Sequence, residues 1–207
     1  GMSIALTVPA DLVGLTNGKR LSEEKNADGT TTSRWEVTYP INNYLVSVNI
    51  APYVPIEATY NGIDGTLDEK ILFWALPEHE EKARAMWKQA PKMLEVLGRR
   101  FGEYPFLRDK YWVVETPYLG MEHQTIVAYG ADFEDNKFGF DSLLLHETAH
   151  EWWGNKITAA DWGDFWIHEG FGTYAEAIFV NDTLGVEKYL EYMRRPRKRR
   201  GNRKPLV

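Results

Sequence analysis

Two spacings of apolar residues run through the chain, and one gives way to the other at Pro77. Upstream, Trp35, Val37 and Tyr39 alternate with Arg34, Glu36 and Thr38, and Val46, Val48 and Ile50 alternate again after an Asn42-Asn43 turn signal. A spacing of two turns one face of a strand to the core, so both segments predict half-buried strands of an antiparallel sheet. Asp28-Gly29 predicts a hairpin, and Asn61-Gly62 with Asp64-Gly65 predicts a loop after a strand near Ile56 to Tyr60. Ile71 to Leu76 is a further short strand.

From Glu78 to Phe101 the spacing becomes helical, with Ala83, Met86, Trp87, Ala90, Leu94 and Leu97 on one side, and Pro91 predicts a split or a kink. A turn follows through Phe106, then strands at Tyr111 to Glu115 and Gln124 to Tyr129. Asp141 is the expected N-cap of a helix running through His146 and His150 to Trp153, where Gly154 fits a C-terminal cap. Leu143, His146, His150 and Trp153 share one sector of that helix, so its histidine-bearing face is also its buried face. Two more helices are expected, from about Trp166 to Thr183, closed by Gly185, and from Val186 to Arg195, cut by Pro196. The fold class is therefore α+β.

Composition narrows the function classes. The chain has 207 residues, 43% hydrophobic and 26% charged, which suits one good-sized domain or two small ones. No apolar run approaches the roughly 20 residues of a membrane helix. There are no cysteines, so any metal must be held by histidines and carboxylates. Eight of the last fourteen residues are Lys or Arg, while the first 193 carry 16 basic against 30 acidic groups. The acidic body argues against a nucleic-acid surface. The Arg197-Lys198-Arg199-Arg200 run reads as a solvated helix end or linker, because no aromatic side chain interleaves it as a stacking platform would require. Gly1-Met2 reads as the scar of a removed tag, and no leader follows it, so the compartment is left open.

The candidate chemistry lies in His146-Glu147-Thr148-Ala149-His150, followed after eighteen intervening residues by Glu169. Histidines four apart on a helix can bring their ring nitrogens to one metal ion, and a carboxylate on a neighbouring element can add a third ligand. Three protein ligands of this kind leave a position open, which is the mark of a catalytic zinc rather than a structural one. A water there has its pKa lowered toward about 7. Glu147 stands beside the ligands, placed to take that water's proton and deliver it to a departing amine. Glu176, seven residues past Glu169 on the same helical face, is a candidate to orient a ligand histidine, or else a surface carboxylate.

These residues bear a family resemblance. His146 to Asn155, then Trp162 to Phe171, closely resemble the zinc signature of the aminopeptidase N family, which includes leukotriene hydrolase, and Gly120-Met121-Glu122-His123 resembles its exopeptidase motif. The resemblance runs from the Tyr44 strand to Pro205. It implies a zinc aminopeptidase with one Zn2+ per chain on His146, His150 and Glu169, Glu147 as base and proton shuttle, and Glu122 as the anchor of a free substrate amine. Gly120 and Met121 would help to hold the scissile carbonyl region. A carboxylate left unpaired by an acyl-blocked substrate gives the discrimination such an enzyme needs. Glu122 precedes the Gln124 to Tyr129 strand, the expected edge for pairing with a substrate backbone.

The pattern has departures. Leu119 stands for the family motif's leading Gly, His123 for its Asn, and His168 for the Asn before the third ligand. The two histidines could tune specificity or offer a second metal option, but the simpler reading is a tolerated variant. The family's oxyanion tyrosine is expected well beyond the third ligand, whereas 38 residues follow Glu169, and the amino-terminal amine-binding Gln or Glu is not found. Tyr174 points to another side of its helix and is a poor substitute. The expectation is thus a fragment. Residues 1–54 would be the last strands of an amino-terminal β-domain, and 55–207 the first part of a thermolysin-like zincin catalytic domain. Its partners would be peptides with a free amino terminus and the remaining catalytic and helical domains of the parent, with no nucleic acid. The rival readings are a thermolysin-like endopeptidase and a zinc-containing peptide-binding module without turnover.

Overall fold

The amino-terminal strands build two small antiparallel sheets. In the first, β4 (Thr30–Val37) lies between β1 (Met2–Pro9) and β3 (Lys19–Lys25), with the expected hairpin at Asp28-Gly29; in the second, β2 (Val13–Thr16) pairs with β5 (Val48–Ala51). Strand β4 follows its alternation, burying Ser33, Trp35 and Val37 and exposing Arg34 and Glu36. In β5 the predicted face is inverted: Val48 and Ile50 are 53% and 48% exposed while Asn49 is turned in. A 3-10 turn at Asn43–Leu45 takes Val46 out of the strand, and Asn49 faces Leu15 across the ladder with its amide donating to Ser47 Oγ at 3.0 Å. A satisfied polar side chain can occupy the inner face, and a single-residue choice of register flips every neighbour.

A five-stranded sheet follows in the order β6 (Val54–Tyr60), β7 (Glu69–Ala75), β8 (Trp112–Glu115), β10 (Ile126–Tyr129), β9 (Gly120–Met121). Strands β7, β8 and β10 are parallel neighbours, and β6 and β9 run antiparallel at the edges. This corrects one expectation. The free edge near the histidine motif is β9 itself, while the Gln124 to Tyr129 segment is interior, and its strand begins only at Ile126 because Thr125 has a left-handed φ of 65°.

One face of this sheet meets the helices α1 (Glu80–Trp87), α2 (Ala90–Phe101), α3 (Ser142–Ala149), α4 (Trp166–Leu184) and α5 (Val186–Arg199) in a core that includes Phe73, Trp87, Leu94, Val113, Val127 and Leu145. Fully burying one such side chain stabilises by roughly 1.5–3 kcal/mol. The other face packs Leu72, Trp74, Val114 and Ile126 against Leu15 and Trp35 of the amino-terminal strands. Pro91 sits in the first turn of α2, where a missing N–H costs no helical bond, so the helical stretch splits as predicted.

Helix α3 ends at Ala149 rather than Trp153. The chain then turns tightly, with Glu151 N–H bonded to Thr148 O and Asn155 N–H to His150 O. Helix α5 continues through Pro196 instead of stopping before it, since a proline forfeits one backbone bond and its neighbours carry the helix on. The computed structural model describes residues 1–199, and side chains as far as Arg194, so in the basic run from Arg194 to Lys204 the side chains past Arg194, and everything from Arg200 onward, lie outside what is described. No helix among the described residues is long and apolar enough to cross a membrane.

Candidate metal centre

The start of α3 is fixed from three directions. Asp141 Oδ1 accepts from Leu144 N at 2.9 Å, its Oδ2 accepts from Tyr129 OH of β10 at 2.5 Å, and its own N–H donates to Gln89 Oε1 at 2.9 Å. An anchored start places His146 on the last turn of α3 and His150 as its C-cap. Helix α4 brings Glu169 in its first turn, where the helix dipole favours a negative charge. It approaches closely because residue 172 is glycine: a Cβ there would lie 2.8 Å from His150 Cε1.

The three candidate ligands converge. His146 Nε2 lies 3.1 Å from His150 Nε2 and 3.4 Å from Glu169 Oε2, and His150 Nε2 lies 3.9 Å from Glu169 Oε1. Among the described residues these three form a group whose ligand atoms all lie within 4.8 Å of one another. The outer ring nitrogens are both engaged by groups that accept. His146 Nδ1 donates to Glu176 Oε1 at 2.7 Å, Glu176 Oε2 in turn accepts from Tyr192 OH, and His150 Nδ1 donates to Trp153 O at 2.9 Å. With a proton on each Nδ1, a neutral ring presents its Nε2 lone pair to the centre. Two ring nitrogens 3.1 Å apart repel unless a cation, a proton or a metal ion, stands between them. Two imidazoles and a carboxylate without sulfur suit a zinc-like divalent ion, so the residues present fit the expected metal.

The electrostatics follow from this crowding. Burial opposes the charge on His146, yet the hydrogen bonds it donates to Glu169 and Glu176 outweigh it and hold the imidazolium up to about 10. Burial, and then the neighbouring His146 charge, push His150 down. Glu147 is pushed up to about 8 by burial first; His146 opposes this, and Glu122, Glu169 and Glu176 add to it. Glu169 is held down by its bond to His146, ahead of the burial that opposes it. One cation among four carboxylates would relieve most of this repulsion.

The exopeptidase-motif residues are brought alongside. A Cβ at Gly120 would fall 2.5 Å from Glu147 Oε1, so β9 passes directly over that carboxylate. Met121 is half-buried and pairs with Ala128 in the sheet. Glu122 is 5% exposed, its Oε1 is buried with no hydrogen-bond partner among the described residues, and its charge is felt by Tyr44, Glu147, His150 and His168. His168 stands outside the ligand group, its Nε2 accepting from Ala159 N at 2.8 Å. His123 likewise stands outside it, with burial pushing its ring down to about 4.

Two neighbours escaped the sequence reading. Tyr44 reaches His168 Nδ1 at 3.4 Å across 124 residues of sequence, and burial, then Glu122 and Glu169, push its hydroxyl up to about 12. It lines a cavity of about 370 Å³ with Trp162, Phe165 and His168. Glu151 is fully buried and bonded to Thr125 N and to Asn155. A second glutamate four residues after Glu147, within the stretch whose apolar spacing predicts a buried helix face, was the available signal for it.

The Peptidase family M1 domain profile matches residues 87–203. Endoplasmic reticulum aminopeptidase 2 of Homo sapiens is 23% identical over 193 residues, covering 87% of this chain and 19% of the relative. Aminopeptidase N of Bos taurus is 26% identical over 189 residues, covering 85% of this chain and 19% of the relative. The chain thus spans about a fifth of the length of these relatives. The M1 zinc metallopeptidase from Deinococcus radiodurans shares the fold, with a TM-score of 0.77 at 24% identity over 99% of this chain and 46% of that one. A mutant M1 zinc metallopeptidase from Deinococcus radiodurans bound to a Tyr-Ser-Ala substrate gives 0.71 at 25% identity over 90% and 41%. With the profile covering more than half of its length and taking in both signature histidines and Glu169, this chain belongs to peptidase family M1.

Proposed function

We propose that this chain carries the zinc and amine-recognition site of an aminopeptidase, which releases amino-terminal residues from peptides. The observation that carries this reading is the buried, unpaired carboxylate oxygen of Glu122 beside a centre of two imidazoles and a carboxylate. His146, His150 and Glu169 would hold one Zn2+, with Glu176 orienting His146. When bound, the ion supplies Lewis acidity, which makes a water nucleophilic near neutral pH and polarises a peptide carbonyl. Glu147, a buried carboxylate beside the ligands, takes the proton of the attacking water and returns it to the leaving amine. Glu122 receives the substrate ammonium in a charge-assisted bond. A blocked amino terminus leaves that oxygen buried and unpaired, the kind of mismatch that gives strong discrimination. Backbone groups of β9, a sheet edge, would align the substrate chain.

Residues 1–54 would then be strands of an amino-terminal β-domain, and residues 55–207 the first part of a thermolysin-like catalytic domain. The test is metal content of the chain together with hydrolysis of amino-acid anilides and their N-acetyl counterparts by the chain and by its longer parent. One zinc per chain and preference for the free amine are expected, with the preference lost in Glu122→Ala and zinc retained. If Glu122→Ala leaves the preference intact, the amine anchor lies elsewhere and the endopeptidase reading gains.

A further inference from the structure

We infer that Glu151 and Asn155 are positioning residues that brace the Glu122 turn against the metal-bearing segment, an inference that rests on Glu122 being the amine anchor. Among the described residues Glu122 Oε1 is buried without a hydrogen-bond partner, so its side chain goes where its backbone is held. That backbone is held from the segment just after His150. Asn155 Nδ2 donates to the Glu122 carbonyl at 2.9 Å and to Glu151 Oε2 at 3.2 Å, and Glu151 Oε1 accepts from Thr125 N at 2.8 Å. Asn155 N–H is bonded in turn to His150 O at 2.9 Å. Both ends of the Glu122–Thr125 turn are therefore tied to residues 151–155, and the path from a candidate ligand histidine to Glu122 is two hydrogen bonds long.

The brace holds a conformation that the chain would not adopt unaided. Thr125 is β-branched yet has a φ of 65°, a disfavoured conformation that persists where its surroundings enforce it. Glu151 grips its N–H, and Gly18 N donates to its Oγ1 at 2.9 Å. From the other side, Asn17 Nδ2 donates to Gln124 O at 2.6 Å. Glu151 is fully buried, where an apolar residue would pack at less cost. What the carboxylate adds is two acceptors at the spacing of the Thr125 and Asn155 donors.

The test uses the zinc-loaded chain, with calorimetric binding of L-leucine and N-acetyl-L-leucine as uncleavable probes of amine recognition. Wild type is expected to favour the free amine and Glu122→Ala to lose that preference. Asn155→Ala should keep one zinc and an unchanged affinity for the acetylated probe, while the preference falls about five- to tenfold, the equivalent of one hydrogen bond. Glu151→Gln keeps an acceptor for Thr125 but sets an amide donor against that of Asn155, and should lower the preference similarly. A preference unchanged in Asn155→Ala and Glu151→Gln but lost in Glu122→Ala overturns the brace and spares the anchor. Equal loss of both probes together with zinc marks a merely structural role and also overturns it. Wild type that binds the probes alike, or binds neither, overturns the anchor and the brace with it.

Discussion

A methyl group added at Gly120 would lie 2.5 Å from Glu147 Oε1, with Leu143 Cδ1 at 2.9 Å. Glu147 is 7% exposed, so its carboxylate can yield only by turning out of the position from which it would serve as base. In the full-length parent, Gly120→Ala is therefore expected to keep one zinc per chain and lose about 10²-fold in anilide turnover, approaching Glu147→Gln, for which a loss of about 10²- to 10⁴-fold is expected from the removal of a general base. Zinc analysis beside steady-state rates checks both, and normal turnover in Glu147→Gln would remove Glu147 from the mechanism. The convergence of His146, His150 and Glu169 was legible because their spacing alone implies a shared centre. Glu122 was legible only through the family motif. Tyr44, Thr125 and Asn155 were not, because their roles depend on turns that bring sequence-distant backbone groups within hydrogen-bond range, and no local period records that.

Helix α3 is eight residues long and carries His146 on its last turn, so the geometry of the candidate ligands depends on how its first turn is held. Asp141→Ala removes the acceptor of Leu144 N–H and strands the buried hydroxyl of Tyr129, which should cost roughly 2–3 kcal/mol in stability and weaken zinc affinity with it. Asp141→Asn, which can still cap, should recover most of the loss in a denaturant titration. The cap was legible as an Asp ahead of an apolar run, and so were the split at Pro91 and the stop at Gly185. The far end of α3 was overextended because its sector of apolar and histidine positions continues to Trp153, whereas backbone bonds around Glu151 and Asn155 curl the chain away. Strand β5 misled for a different reason. Its apolar residues alternate correctly, but Asn49 carries its own hydrogen bond inward and leaves Val48 and Ile50 outside.

At the scale of the molecule, the amino-terminal strands and the five-stranded sheet are joined by Leu15, Trp35, Trp74 and Ile126, and by the buried Lys110 side chain beside them. Lys110 Nζ donates to the carbonyls of Thr16 and Gly18 and lies 5.0 and 5.1 Å from the ring centres of Trp35 and Trp112. Burial pushes this ammonium down to about 7, against the opposing pull of Asp109 and Glu151. The neutral amine still has two N–H donors for its two carbonyls. The unfolded chain keeps the proton to about pH 10.4. Between these limits the unfolded state binds more protons, so this group's contribution to stability rises with pH; below about 7 both states are charged and the full burial penalty is felt. Lys110→Met keeps the stem and removes the titration. Wild type should therefore gain stability relative to Lys110→Met between pH 7 and pH 9.5, read as the difference in denaturant midpoints, in which titrations common to the two proteins cancel. A difference that stays constant across this range would mean that Lys110 remains an ammonium, its charge held by the two indole faces and two carbonyls against the cost of burial.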